Sequence, residues 1–332
     1  MKRLSHWAPL FAVPLFLAVS LTTAGAGNAP FAKAKPGLQR LATKPTGTIA
    51  FVRSNACGHQ KVWLMNADGS YQRAITPPTM NVGYATISPD GRRVAFGRQF
   101  ASPGWVQNDI YVINVNGTGL RRLTTTKGNE EALTWSPDGR RIAYASSYMT
   151  TFNPPQRSDI WVMNADGSGK HRLTRTAPLE SSPSRSPDGK RIAYARGSGI
   201  WLMTAHGHLR HPITSPSVGF DYFPAWTPDG SRIAFARSRG GGLGDIWLMQ
   251  AAGSHSVQLT SNSRDDTRPC WSPDGRWLAF ASDRRPRGVY HIWVMRSDST
   301  GLRRLTAGRT GEYSPSWSRA STVAHSTARA PS

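Results

Sequence analysis

The apolar residues of this chain fall into short runs separated by polar turns, a spacing that suits strands and leaves little room for amphipathic helices. One set of runs reads Ile49-Ala50-Phe51, Val94-Ala95-Phe96, Ile142-Ala143-Tyr144, Ile192-Ala193-Tyr194, Ile233-Ala234-Phe235 and Leu278-Ala279-Phe280. A second set is apolar at four consecutive positions, at 62–65, 110–113, 160–163, 200–203, 246–249 and 292–295, as in Ile160-Trp161-Val162-Met163. A strand with one wet face alternates. An unbroken run bounded by Gly and Pro belongs to a strand covered on both faces, so the pattern predicts sheets stacked between neighbouring sheets.

The punctuation between the runs repeats. Ser-Pro-Asp-Gly stands at 88–91, 136–139, 186–189 and 272–275, and Thr-Pro-Asp-Gly at 227–230. Pro presets φ for the first central position of a type I turn, Asp bonds the local backbone, and Gly takes the positive φ that closes the hairpin. Successive Asp residues of this phrase lie 48, 50, 41 and 45 positions apart, the length of a propeller blade. A further strand ends in Leu-Thr or Ile-Thr, at Thr76, Thr124, Thr174, Thr214, Thr260 and Thr306. Each unit is thus four strands, A to D, with A running into the Pro-Asp-Gly turn. Five A strands precede the five turns, and a sixth, Tyr313-Ser314-Pro315-Ser316-Trp317-Ser318, comes last. The predicted fold is all-β: a six-bladed β-propeller of four-stranded antiparallel blades, its ring closed by the C-terminal strand completing the first blade.

The recurring Trp-Ser-Pro-Asp-Gly-x-x-Ile-Ala-Phe core, over residues 46–318, resembles the TolB-type propeller repeat, a WD40-like Pro-Asp repeat family. The resemblance implies an envelope protein that binds other proteins. The same repeat is similar to propellers attached to prolyl-oligopeptidase-like peptidases. Neither an N-terminal α/β domain of the TolB kind nor a hydrolase domain is expected within these residues.

Residues 1–26 read as a signal peptide: Lys2 and Arg3, an apolar run from Trp7 to Leu21, then Ala24-Gly25-Ala26. An uncleaved N-terminal anchor is the alternative. Residues 27–45 and 319–332 are expected to be disordered. After signal cleavage no membrane span is expected, and the propeller is expected to be a monomer in the periplasm or outside the cell. The 41 Lys and Arg against 19 Asp and Glu give a formal charge of +22. In an exported protein that excess points to anionic envelope polymers rather than nucleic acid, or merely to Arg used as a surface solubiliser. Cys57 and Cys270 are the only cysteines, which excludes a disulfide framework and multi-cysteine metal sites. A single bridge between them, stapling blades 6 and 1 at one face, is one reading. Free thiols are the other.

Recognition is expected on the face carrying the B–C and D–A connections, which vary in length, rather than on the face of tight A–B and C–D turns. Five residues before the Trp column of strand A stand Val82, Glu130, Glu180, Asp221, Asp266 and Glu312. These five carboxylates could ring one channel mouth and attract a cationic peptide. They could equally cap their own D–A turns. Trp105 and Tyr222 are candidate contact residues in the same loops. The arginine pairs 92–93, 140–141, 121–122 and 303–304 read as edge protection or as a dock for an anionic polymer. No Gly-x-Ser-x-Gly elbow or His-Glu-x-x-His occurs, so no catalytic residue, metal or cofactor is assigned. His206, His208 and His211 form the one histidine cluster. Were the chain a hydrolase or lyase, Asp265, Asp266 and His255 would be the residues to converge on the channel. The main reading is a scaffold for an envelope protein or peptide, with polymer binding or channel chemistry as alternatives.

Overall fold

In each Pro-Asp-Gly turn a hydroxyl does the work that explains the invariant first position. Ser88 Oγ donates to Asp90 at 2.5 Å and accepts from the Arg93 N–H at 2.9 Å, while Gly91, at φ 68°, donates its N–H back to Ser88. Thr227 makes the same bonds at 227–232. The turn joins strands A and B in five blades, and in the sixth the A strand arrives from the far end of the chain.

The computed structural model describes residues 44–102, 105–126, 128–147, 157–175, 179–240, 242–284 and 288–319. The predicted signal peptide, most of the predicted linker and tail, and the side chain of Trp105 lie outside the described residues. Blade 1 is built from β1 (Thr48–Ser54), β2 (Gln60–Asn66) and β3 (Arg73–Ala74). Blade 2 holds β4 (Asn81–Ile87), β5 (Arg93–Ser102), β6 (Trp105–Asn114) and β7 (Arg121–Arg122). Blade 3 holds β8 (Asn129–Trp135), β9 (Arg141–Ser147), β10 (Ser158–Asn164) and β11 (His171–Arg172). Blade 4 holds β12 (Glu180–Arg185), β13 (Arg191–Arg196), β14 (Gly199–Thr204) and β15 (His211–Pro212). Blade 5 holds β16 (Phe220–Trp226), β17 (Arg232–Ser238), β18 (Gly244–Gln250) and β19 (Val257–Gln258). Blade 6 holds β20 (Asp266–Trp271), β21 (Trp277–Ser282), β22 (His291–Arg296) and β23 (Arg303–Arg304). The last strand, β24 (Glu312–Ser318), pairs antiparallel with β1 in the register Thr48↔Ser318 to Arg53↔Glu312, so six four-stranded sheets close the ring. Among the described residues no helix is long and apolar enough to cross a membrane.

The apolar core is divided among the six seams between blades. At the blade 2–3 seam, Ala95, Ile110 and Val112 meet Ile142, Tyr144 and Met163, and the other five seams repeat the arrangement. Alternation in strand B sends Ile142 and Tyr144 toward the preceding blade and Ala143 and Ala145 toward the following one. The small residue leaves room for the large residues of strand C, whose runs face both neighbours. That is why neither strand shows a polar side.

Strand D has only two residues, too short to pair all of strand C. The recurring threonine makes up the deficit: Oγ1 of Thr76, Thr124, Thr174, Thr214, Thr260 and Thr306 accepts the N–H of Val62, Ile110, Ile160, Ile200, Ile246 and Ile292 at 2.8–3.2 Å. A buried N–H without that partner would cost about 1–3 kcal/mol.

Candidate functional site: the channel and the long-loop face

Strand A enters from the long-loop face and runs along the central channel to the tight turn. In all six blades its register against strand B slips near the middle, as between Glu131 and Thr134. In five blades the slip carries a non-glycine residue at positive φ, 52–55°: Ala132, Ser182, Phe223, Arg268 and Ser314. Pro183, Pro224, Pro269 and Pro315 follow, tolerated because strand A is an edge and the bulge frees its N–H. The strained residue is re-aimed, and all six A strands line one cavity of about 280 Å³.

Arg268 spans that channel. Its guanidinium carbon lies 4.6 Å from the ring centre of Tyr84 and 4.4 Å from that of Phe223, and Nη1 donates to Ser314 Oγ at 2.7 Å. Residues of blades 1, 2, 5 and 6 thus meet on one cation, held by its attraction to two ring faces. Burial pushes the Tyr84 hydroxyl up to about 12, so it stays protonated and bonds Glu131, whose own carboxyl burial also raises.

The five predicted carboxylates are not open charges at the mouth. Glu130, Glu180, Asp266 and Glu312 have no exposed surface and Asp221 has 2%. Each is turned into its own blade, at the start of strand A beside the end of strand B, where in four of the five an arginine waits. Asp221 takes Arg237 through two bonds of 2.6 and 2.8 Å. Asp266 takes Arg284 at 3.1 and 2.5 Å and Asn262 at 2.7 Å. Glu312 takes Arg53 at 2.8 Å, Thr306 at 2.5 Å and His291 at 2.7 Å, and Glu180 lies 3.6 Å from Arg196. Burial alone would raise the Glu312 carboxyl, but the bonds from His291 and Thr306 and the Arg53 charge hold it below the ordinary range. The expected ring is therefore corrected to five separate clusters inside the blades. The arginines in turn lie over the strand C aromatics, 4.5 Å from Trp63, 4.2 Å from Trp201 and 4.9 Å from Trp247.

Two neighbouring blades break this rule in opposite ways. Blade 2 has Arg98 but Val82 in place of the acid, and Arg98 rests on Phe100 and Tyr111. Blade 3 has Glu130 opposite Ser146, with no arginine there. Among the described residues Glu130 accepts only from Thr124 and Thr126, and burial pushes it up to about 7.

Tyr222 is half-buried, its ring edge-on to Phe223 at 5.3 Å. Burial, then the Asp265 charge, raises its hydroxyl. Asp265 accepts the Gly244 N–H at 2.6 Å and the Tyr290 hydroxyl, and a Cβ added at Gly244 would overlap the Tyr222 hydroxyl. His255 is exposed in a C–D turn at the other face, so it does not converge with Asp265 and Asp266. His206, His208 and His211 are exposed, and among the described residues no three metal-ligating side chains form a group. Cys57 and Cys270 are both free: Cys57 is exposed in the β1–β2 loop, whereas Cys270 lies next to the tight turn at the opposite end of strand A. The one-face placement required for a bridge is not met.

Several of these residues escaped the sequence reading. The arginine column was visible as the residue two places after the Phe or Tyr of strand B, in Arg53, Arg98, Arg196 and Arg237. A second acidic column, Asp109, Asp159 and Asp245, precedes the strand C run and bonds strand D at Arg122, Arg172 and Gln258. Arg268 had no such signal.

The family model described as TolB beta propeller domain matches residues 42–199 and 147–329. No curated protein matches the sequence. The structure is similar to TolB from Acinetobacter baumannii, with a TM-score of 0.69 and 20% identity over 82% of this chain and 66% of that one. It is also similar to a putative TolB from Agrobacterium tumefaciens, with a TM-score of 0.62 and 20% identity over 81% and 92% of the two chains. Hydrazine synthase from Kuenenia stuttgartiensis gives a TM-score of 0.68 at 15% identity, over 82% of this chain and 47% of that one. The chain thus spans just under two thirds of the Acinetobacter protein and about half of the Kuenenia chain.

Proposed function

Because this chain belongs to the TolB β-propeller domain family, we propose that it is an exported scaffold of the cell envelope or extracellular space that holds a protein or peptide partner on its long-loop face. One observation carries the reading. Among the described residues the exposed large apolar side chains away from the tight C–D turns are Leu179, Val218, Phe220 and Leu243, and all four belong to the long-loop face of adjacent blades 4 and 5. None of the four belongs to an apolar cluster of the seams, and grouped exposed apolar residues mark interaction surfaces. Tyr222 and Gly244 lie next to them. The predicted carboxylates support this face from beneath: by fixing the ends of strands A and B they hold the loops that would contact a partner.

The test is capture from envelope extract with the wild-type chain and a Phe220→Asp/Leu243→Asp variant, both checked for cooperative melting. Retained folding with loss of a captured protein supports the reading. Equal recovery by both chains would remove the apolar face from consideration. Capture that collapses with added salt and ignores the variant would point to polymer binding through the arginine edges.

A further inference from the structure

The residue five places after the acid column of strand A is Trp135, Trp226, Trp271 and Trp317 in blades 3, 5, 6 and 1. Its part in the fold is regular. The indole N–H donates to a carbonyl of an adjoining segment, Trp135 to Thr86 at 3.1 Å, Trp226 to Ser184 at 3.1 Å and Trp271 to Ala225 at 3.3 Å. The first residue of the preceding blade's strand B then covers the ring: Arg93 lies 5.0 Å from the centre of Trp135 and Arg191 lies 4.7 Å from that of Trp226.

In blade 4 the position is Arg185. The side chain is 9% exposed, and its Nε and Nη2 have no hydrogen-bond partner among the described residues. No carboxylate lies within ion-pair distance of it among them. The nearest acidic influence is Asp138, whose carboxylate is already taken by the Ser136 hydroxyl and the Arg140 N–H. Arg141, which by the repeat should cover an indole here, instead opposes Arg185 with like charge. A buried guanidinium with two adjacent donors unused and a second cation beside it is an arrangement that costs stability unless an anion completes it.

Arg185 lines the channel cavity, in company with Ser184, Thr134, Pro187 and Trp226. At about 280 Å³ the space lies close to the lower end of small-molecule sites. The other channel cation, Arg268, is engaged by two rings and Ser314. Burial pushes the Cys270 thiol, also on the lining, up to about 12, so it adds no negative charge. From this geometry we infer that the channel of this propeller holds an anion-binding site, in which the Arg185 guanidinium, turning its unpaired Nε and Nη2 toward the cavity, takes the two oxygens of a small organic carboxylate. The paired parallel donors match a planar carboxylate, and the mixed hydroxyl and apolar lining suits an acid with a compact apolar body. The site is distinct from the loop face of the previous section and does not depend on it.

The probe is sodium benzoate, titrated into the full chain at constant ionic strength with chloride as the balancing anion. The Arg185 Nε–H resonance should shift along a one-site saturable curve, and the melting midpoint should rise and level off over the same range. Arg185→Trp restores the residue of the repeat. It should melt at or above the unliganded wild type and show no benzoate-dependent rise over chloride. An Arg185 resonance that does not move, or a benzoate response that persists in R185W, overturns the assignment. So does a resonance that responds to inorganic phosphate and not to benzoate. If R185W does not fold, the wild-type resonance titration and Arg185→Gln decide alone.

Discussion

Glu130 shows how much a single missing partner matters. Its carboxyl titrates at about 7 rather than 4.5 because burial is uncompensated by the arginine found in four other blades. A folded-state value above the unfolded one means that the fold prefers the protonated acid. Its contribution to stability is full below pH 4.5, falls as pH rises from 4.5 to about 7, and is constant above that. The span corresponds to on the order of 3 kcal/mol. Glu130→Gln keeps an acceptor for Thr124 and Thr126 without the charge, so it should melt higher than wild type at pH 8 and equal to it near pH 4. A difference that is the same at both pH values would contradict this account. The acidic column itself was legible, because a carboxylate at one repeat position stands out in a chain with few of them. Its burial was not. Whether Asp221 faces the channel or the blade depends on the register slip at Tyr222 and Ala225, which leaves no mark in hydropathy.

At the scale of the strand, acid, arginine and aromatic act together. Asp221 and Arg237 are cross-strand partners, and Arg237 lies over Phe235 and Trp247. Removing one member strands the other: Arg237→Ala should cost roughly 3–5 kcal/mol by leaving a buried carboxylate unpaired. Adding Asp221→Val, the residue type that blade 2 carries as Val82, should recover most of that loss. Urea unfolding of the two single variants and the double variant measures the coupling, and additive losses would refute it. The strands were readable because two-sided burial leaves an unbroken apolar run. Strand D was readable from its threonine, although the reason for that threonine emerged only from the bond it makes to strand C.

Across the whole molecule, the closing strand was predicted from a count: six copies of B, C and D, and an A strand displaced to the end of the chain. The pairing of β24 with β1 covers the edge above Ile49 and Phe51. A chain ended after Gly311 should therefore lose its cooperative melting transition, and a synthetic peptide of residues 312–319 should restore it. Circular dichroism would follow both, and undiminished cooperativity of the shortened chain would show that the ring does not need its last strand. The contents of the channel were beyond reach of the sequence. They come from positive-φ residues at bulges, and Arg268 finds Tyr84 and Phe223 only because six blades bring distant segments to one axis.

The closing pair has a mechanical consequence. Thr48 and Ser318 are partners at the same end of an antiparallel ladder, so a pull applied between the chain's two ends loads the hydrogen bonds one at a time instead of shearing them together. The propeller would peel open at blade 1 under modest force while the other five blades, joined by continuous hairpins, stayed intact. A tether on one end alone would leave the ring unstressed.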